Sequence, residues 1–230
     1  MKGLELSKEY FWEMGYPKFK EKLGEVADRA AYGLVGEGSE CFDFDDEFSR
    51  DHDWGPSFCV WLNDGDFEKY ARDFNKIYMG LPGDFKNYPC RNVSAQGGGR
   101  VGVMRISDFY MKFTGCPTVP DTLGKWRAIP EKFLAMATNG EVFKDELGEF
   151  SKIRQGLKNY FPEDLRIKKI AGKAAVMAQS GQYNYPRCTK RGENVAAFFA
   201  LAEFMEKTAN MVYLLNKKYM MLIVKLLKML

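Results

Sequence analysis

Residues 36–39 read Gly-Glu-Gly-Ser, and after eleven further residues positions 51–53 read Asp-His-Asp. On a strand the side chains of the second motif alternate, so Asp51 and Asp53 share one face and His52 takes the other. Two carboxylates held side by side repel one another unless a divalent cation joins them. An oxygen-only pair suits Mg²⁺, with Mn²⁺ as its substitute, because the ion completes its shell with water and substrate phosphates. Glycine lets a turn backbone come close to phosphate, and the Ser39 amide and hydroxyl can both donate to it. Gly36, Gly38 and Ser39 are therefore the expected phosphate-binding group, and Asp51 and Asp53 the expected metal ligands. The plainer alternative is a Gly-rich turn beside a solvated acidic strand.

Rival chemistries fail on particular residues. Asp43-x-Asp45-x-Glu47 begins like a calcium loop, but Phe48 stands where glycine is required and Trp54 where the closing glutamate belongs. Glu37-Gly38-Ser39-Glu40-Cys41 lacks both glycines of a nucleophile elbow. His52 is the only histidine, which removes the ligands of a structural zinc site and the base of a Ser-His-Asp hydrolase. The five cysteines, at 41, 59, 90, 116 and 188, form no Cys-x-x-Cys pair and point to a reducing compartment. Gly97-Gly98-Gly99 precedes a strand instead of opening a helix and reads as a flexible loop.

The elements that must position these residues follow from periodicity. Ser7 caps a helix through Met14, and Pro17 opens a second carrying Phe19, Leu23, Val26, Ala27 and Ala30. Ala31 to Val35 is a buried strand running into the Gly36 turn. Segments 51–54 and 58–62 read as one long strand, or two joined at Gly55-Pro56. Asp64 or Asp66 caps a helix ending at Gly80, and Val101 to Ile106 is another strand. From Asp121 the pattern turns helical, and Val195, Phe198, Ala202, Met205, Ala209, Val212 and Leu215 keep one stripe over about six turns. Gly, Pro and Thr cluster at 115–122. The expected fold is α+β: a mixed sheet with flanking helices over 1–118, followed by an all-α helical bundle domain over 119–230.

Apolar residues at 46% and charged residues at 28% exclude disorder and fibrous architecture. A net charge of +3 does not indicate nucleic acid. Its distribution is more informative. Seven acids lie between Glu40 and Asp53 against Arg50, and seven bases lie between Leu165 and Gly192 with no acid. Such polarity suits a polyanionic ligand bridged by cations, and Arg187, after Gln-Tyr-Asn-Tyr-Pro, is the base placed nearest the phosphates. The first twenty residues hold no apolar leader, and lysines interrupt the apolar C-terminal run, short of the ~20 residues a membrane span needs. A cytoplasmic protein with no membrane partner is expected; a homodimer is left open.

Gly-Ser followed by Asp-x-Asp resembles the signature of the nucleotidyltransferase superfamily, whose fold is that of DNA polymerase beta and the aminoglycoside nucleotidyltransferases. The longer string over 33–53, with the blocks Thr138–Asp145, Ala178–Tyr185 and Leu214–Tyr219, more specifically resembles a bacterial domain-of-unknown-function family of predicted nucleotidyltransferases. The resemblance implies a nucleotidyltransferase-type sheet and Mg²⁺-dependent transfer of a nucleoside monophosphate from a nucleoside triphosphate to an unidentified acceptor. Asp51 and Asp53 would hold the metal as catalytic residues, and Gly38 and Ser39 the β- or γ-phosphate. Glu141, Asp145 and Asp108 are candidates for the general base. Two departures stand out. The 101–106 strand lacks the third carboxylate that many members carry there, and 220–230 is an aliphatic and lysine run in place of the family's usual ending. The first departure motivates an alternative, a nucleotide-binding regulator without transfer chemistry. A non-catalytic interaction protein using the Met- and Phe-rich helices is a third reading.

Overall fold

The computed structural model describes residues 1–50, 52–94 and 97–221. Helix α1 (Gly3–Tyr10), a π turn at Phe11–Gly15 and α2 (Tyr16–Leu23) form one helical run. Strands β1 (Ala31–Leu34) and β2 (Cys59–Leu62) precede α3 (Asp64–Met79), β3 (Gly102–Arg105) and α4 (Ile106–Thr114). Next come α5 (Leu123–Ala128), α6 (Glu131–Thr138), β4 (Glu141–Lys144) and α7 (Glu149–Lys158). Helix α8 (Glu163–Met177), a π segment at Ala178–Asn184, α9 (Tyr185–Lys190) and α10 (Asn194–Leu215) complete the described chain. The protein is thus a mixed α+β structure.

The four strands lie in the order β3-β2-β1-β4, with β1 antiparallel to β2 and β4, and β2 parallel to β3. This topology has a direct consequence for the site. The end of the sheet where β1 finishes is the end where β2, β3 and β4 all begin. Four loops therefore meet there: the Gly36 turn, the residues before β2, the residues before β3, and the Asn139-Gly140 corner before β4.

Strand β2 is buried on both faces, which is why Cys-Val-Trp-Leu reads as a continuous apolar run. Alternation sends Val60 and Leu62 into a core with Phe11, Phe19, Tyr32, Phe58 and Phe74. It sends Trp61 the other way, where the indole stacks on Phe150 of α7 at 3.9 Å and meets Phe109 of α4 at 5.4 Å. Gly33 lets β1 approach both neighbours, because a Cβ there would lie 2.9 Å from the Val142 Cα and 3.1 Å from the Trp61 ring.

The chain divides into two compact units. One comprises 1–120 and 136–158, the other 121–135 and the described residues from Asn159 onward. A single boundary at 118 is therefore replaced by a chain that leaves the sheet unit and returns to it with β4 and α7. In the second unit α10 packs along α8 and the π segment. The rings of Trp126, Tyr160, Phe161 and Tyr219 pack against one another in that unit.

Four local expectations change. The helix opened by Pro17 ends at Leu23, where Gly24 takes φ 58°, and Val26 and Ala27 fall in a 3₁₀ segment. Residues 52–54 are not strand, because Asp53 takes φ 54° and Gly55 φ 139°, both incompatible with an extended run. Ser7 does not cap a helix. It is buried within α1, which starts at Gly3 and thereby sets Leu6 and Tyr10 into the core. Asn63, not Asp64 or Asp66, caps α3, its Oδ1 accepting from the Asp66 amide at 2.8 Å. No described helix is long and apolar enough to cross a membrane.

Candidate functional site

The Gly36 turn leaves β1 with φ 138°, a backbone region reserved for glycine. Its two peptide groups are held from β4's side of the sheet. The Gly36 amide donates to Asn139 Oδ1 at 2.8 Å, and the Asn139 amide donates back to the Gly36 carbonyl at 2.7 Å. Arg154 of α7 fixes the corner behind, donating from Nη2 to the carbonyls of Asn139 and Gly140, both at 2.8 Å. Gly140 also donates to the Cys41 carbonyl at 2.8 Å.

Beyond Gly36 three acids of the 40–53 stretch, Glu40, Asp45 and Asp53, turn inward, each with its own partner, while Asp43, Asp46 and Glu47 stay exposed. Glu40 is buried against Arg91, Oε1 to Nη1 3.1 Å, and Arg91 also donates to Ser57 Oγ at 3.0 Å. Asp45 accepts from the Gly3 amide at 2.6 Å and from Trp54 Nε1 at 3.1 Å. Such pairing is what buried carboxylates require. The solvated acidic strand of the plainer alternative does not exist at Glu40, Asp45 or Asp53.

Asp53 is 4% exposed. Its carboxylate accepts from the Ser94 amide at 2.9 Å and hydroxyl at 2.6 Å, and lies 3.1 Å from Arg100 Nη1. Burial works to raise the Asp53 pKa, but the Ser94 hydrogen bonds and then the Arg100 and Arg91 charges outweigh it, leaving the carboxyl below its ordinary value. Gly97 belongs to this arrangement, since any Cβ there would collide with the Asp53 carboxylate. Gly97 is therefore a packed position, whereas Gly98 and Gly99 stand in open space.

Arg100 ties the two sequence motifs together. Its Nε is 3.8 Å from Glu37 Oε2 while its Nη1 holds Asp53. Lys112, near the end of α4, reaches the same Glu37 carboxylate at 2.7 Å. A cleft of about 130 Å³ opens beside them, lined by Gly36, Glu37, Arg100, Asp108 and Lys112, with Phe109 and Phe113 as its apolar wall. That volume is below the roughly 300 Å³ at which whole-ligand pockets begin, so it suits one part of a larger ligand. Its lining carries two cations, Arg100 and Lys112, and two carboxylates, Glu37 and Asp108.

The site residues expected from sequence fall out unevenly. Gly36, Gly38, Ser39 and Asp53 lie at this end of the sheet, although Asp53 is not on a strand. Asp51 lies outside the described residues. Ser39 precedes a short 3₁₀ turn, its carbonyl accepting from the Phe42 and Phe44 amides, and its side chain is half-buried. Glu141 is engaged with Lys8 of α1. Asp145 follows β4 at the opposite end of the sheet and caps α7, accepting from the Gly148 amide at 2.9 Å and the Ser151 amide at 2.8 Å. Neither is brought to the Arg100 cluster. Arg187 belongs to the second unit, where its guanidinium lies over the Tyr183 ring at 4.6 Å. Arg91, Ser94, Arg100, Lys112, Asn139 and Arg154 were not expected.

Asp53 and Glu37 converge on one guanidinium, which already neutralises both carboxylates. Among the described residues no three His, Cys, Asp or Glu side chains gather into a metal-ligand group.

No curated protein and no solved structure matches this chain. A family model described as a domain of unknown function, DUF4037, matches residues 126–223, a segment that contains the Asn139 corner, Arg154 and α10 but not the Gly36 turn or Asp53.

Proposed function

We propose that the protein is a nucleotidyltransferase that transfers a nucleoside monophosphate from a nucleoside triphosphate to an acceptor hydroxyl. The observation that carries this reading is Arg100, which joins the Gly-Glu-Gly-Ser turn to Asp53 at the mouth of a cleft that also presents Lys112. Arg100 and Lys112 rest on Glu37. A triphosphate offers both cations stronger charge-assisted partners and draws them from it. The Gly38 and Ser39 amides and the Ser39 hydroxyl bind a non-transferred phosphate. Bound Mg²⁺, held by Asp53 with Asp51 as the second expected ligand, supplies neutralisation of the phosphate charge. Asp108, in the first turn of α4 and lining the same cleft, takes the acceptor proton. The acceptor oxygen bonds to the α-phosphorus as the bond to pyrophosphate breaks.

Pyrophosphate release in the presence of acceptor pools and Mg²⁺ tests the proposal. Asp53→Ala should lower it by roughly a thousandfold, since each ~1.4 kcal/mol of lost stabilisation is tenfold in rate. Equal release by this variant would end the reading. A specific observation favours a second reading, a nucleotide-binding regulator. Strand β3 holds no carboxylate, and its Arg105 is committed to Glu68 and Asp108. That reading predicts saturable nucleotide binding with no pyrophosphate from any pool, whole-cell extract included.

A further inference from the structure

Glu37 takes no part in the transfer chemistry, yet its carboxylate sits on both cations of the cleft. Its backbone is fixed on either side. Asn139 holds Gly36, and a Cβ at Gly38 would collide with the Glu40 carboxylate. The side chain therefore has a defined place in spite of its two glycine neighbours. One oxygen, Oε2, serves both cations: Lys112 Nζ donates to it at 2.7 Å, and Arg100 Nε lies 3.8 Å away. The other carboxylate of the lining, Asp108, lies beside Arg105 instead.

The sharing is uneven. At 3.8 Å the Arg100 contact is an ion pair without a hydrogen bond, and Nε is buried with no hydrogen-bond partner among the described residues. Asp53 takes Nη1 at 3.1 Å. A buried donor left unmade is costly, and a guanidinium meets oxyanions best through parallel N–H···O bonds. Arg100 thus carries an unmet donor beside the 130 Å³ cleft that it lines with Glu37 and Lys112. A single carboxylate oxygen completes one of the two cations. A phosphate group, with several strong acceptor oxygens, can complete both.

We propose that Glu37 is an internal competitor for the cations of the cleft, standing where one phosphate group of the ligand binds and setting the least charge that a ligand must bring. This rests on the phosphate-binding reading of the cleft and adds which anions the cleft refuses. Every incoming phosphate must displace the same carboxylate from Lys112 and Arg100, so every ligand loses the same increment of affinity. The order of ligands is unchanged, but the threshold moves. A lone phosphate exchanges one anion for another and gains little. A polyphosphate recovers the loss through its further groups, at the Gly38 and Ser39 donors. Glu37 thereby keeps inorganic phosphate out of a site that two uncovered cations would give it.

Isothermal titration of the full chain with inorganic phosphate and with tripolyphosphate, both with Mg²⁺, tests this. Glu37→Gln keeps the shape of the side chain and removes its charge. It should tighten inorganic phosphate at least about tenfold, as expected for one charge-assisted contact, and tripolyphosphate by a similar factor. In a Lys112→Ala background the gain should shrink severalfold, because the closer of the two contacts is already gone. Glu37→Asp keeps the charge but draws it back by one methylene, so its gain should be intermediate; this variant decides the matter if Glu37→Gln does not fold. Unchanged phosphate affinity, with tripolyphosphate still bound by wild type, overturns the role of Glu37 and leaves the phosphate site standing. A gain undiminished without Lys112 does the same. Tripolyphosphate bound by none of these proteins overturns both readings.

Discussion

Asn139 hydrogen-bonds both backbone groups of Gly36, accepting from its amide at 2.8 Å and donating to its carbonyl at 2.7 Å, across 103 positions of sequence. A side-chain amide here does what a neighbouring strand would do, at the point where β1 has already ended. It thereby holds the turn that feeds the cleft. Asn139→Ala leaves two backbone groups without their partner, at a cost of about 1–3 kcal/mol. In a chain of this size each ~1 kcal/mol moves the melting midpoint by about 2–4 °C. Asn139→Asp should be at least as damaging, because a carboxylate then faces the Gly36 carbonyl. Thermal melts of both variants check this, and a midpoint within one degree of wild type for Asn139→Ala would show the clamp to be idle.

Arg154 should act through the same clamp. It contacts the carbonyls of Asn139 and Gly140 and has no ion pair with a carboxylate among the described residues; burial holds its pKa below the usual arginine value. The Arg154→Gln and Asn139→Ala effects should therefore fail to add, with a coupling of roughly 0.5–3 kcal/mol in a double-mutant cycle by denaturant unfolding. Additive effects would mean that the corner and the turn are held independently.

Much of this arrangement was legible before any coordinates, and what was not has identifiable causes. The Gly36 turn could be read because glycine-specific backbone announces itself in the residue type. The apolar run at β2 could be read because a strand covered on both faces needs no alternation. Strand β4 was hidden: Glu-Val-Phe-Lys is four residues long, stands between helices, and pairs with a strand more than a hundred positions earlier. Asp53 stands out in the sequence as half of an Asp-x-Asp pair, but the strand on which that reading places it fails at its own φ angle. Arg100 and Arg91 lie in a loop without periodicity, and nothing in their spacing distinguishes a buried counter-ion from a solvated arginine.

The glycine loop offers a contrast within two residues. A Cβ at Gly97 would fall into the Asp53 carboxylate, whereas one at Gly98 would meet nothing within 4 Å. Gly98→Ala should leave stability within about 1 kcal/mol of wild type. Gly97→Ala should dislodge Asp53 from Ser94 and Arg100, lowering the melting midpoint and weakening nucleotide binding together. Equal behaviour of the two variants would argue against a packed role for Gly97.

Acid stability should depend on Asp28. Its carboxyl is held at about 2, first by Lys20, then by the Tyr16 hydroxyl, with burial opposing and Lys144 assisting. A folded value below the unfolded one means stability that is present above the ordinary carboxyl pKa and lost as pH falls toward 2. Asp28→Asn should therefore cost on the order of 1 kcal/mol at neutral pH, solvent screening included, and progressively less below about pH 4. Denaturant unfolding of both proteins from neutral pH to pH 2.5 measures the convergence; a constant gap would place the effect in packing instead of charge.

Arg100 and Lys112 should separate by what each leaves behind. Both face the cleft and both rest on Glu37, but only Arg100 also neutralises a buried carboxylate. Removing Lys112 costs a triphosphate one charge-assisted contact, so Lys112→Ala should weaken binding about tenfold with little change in melting. Removing Arg100 strands Asp53. Burial, the largest influence on that carboxyl, is then opposed chiefly by Ser94, and the Asp53 pKa rises. Arg100→Ala should thus lower both affinity and stability. The part of its stability loss that comes from Asp53 should shrink as pH falls and the stranded carboxylate takes up a proton. Isothermal titration with a nucleoside triphosphate and Mg²⁺, paired with melts at neutral and mildly acidic pH, reads both quantities. If Lys112→Ala proved the more destabilising, or if Arg100→Ala melted like wild type at neutral pH, Arg100 would not be the residue that joins the two motifs.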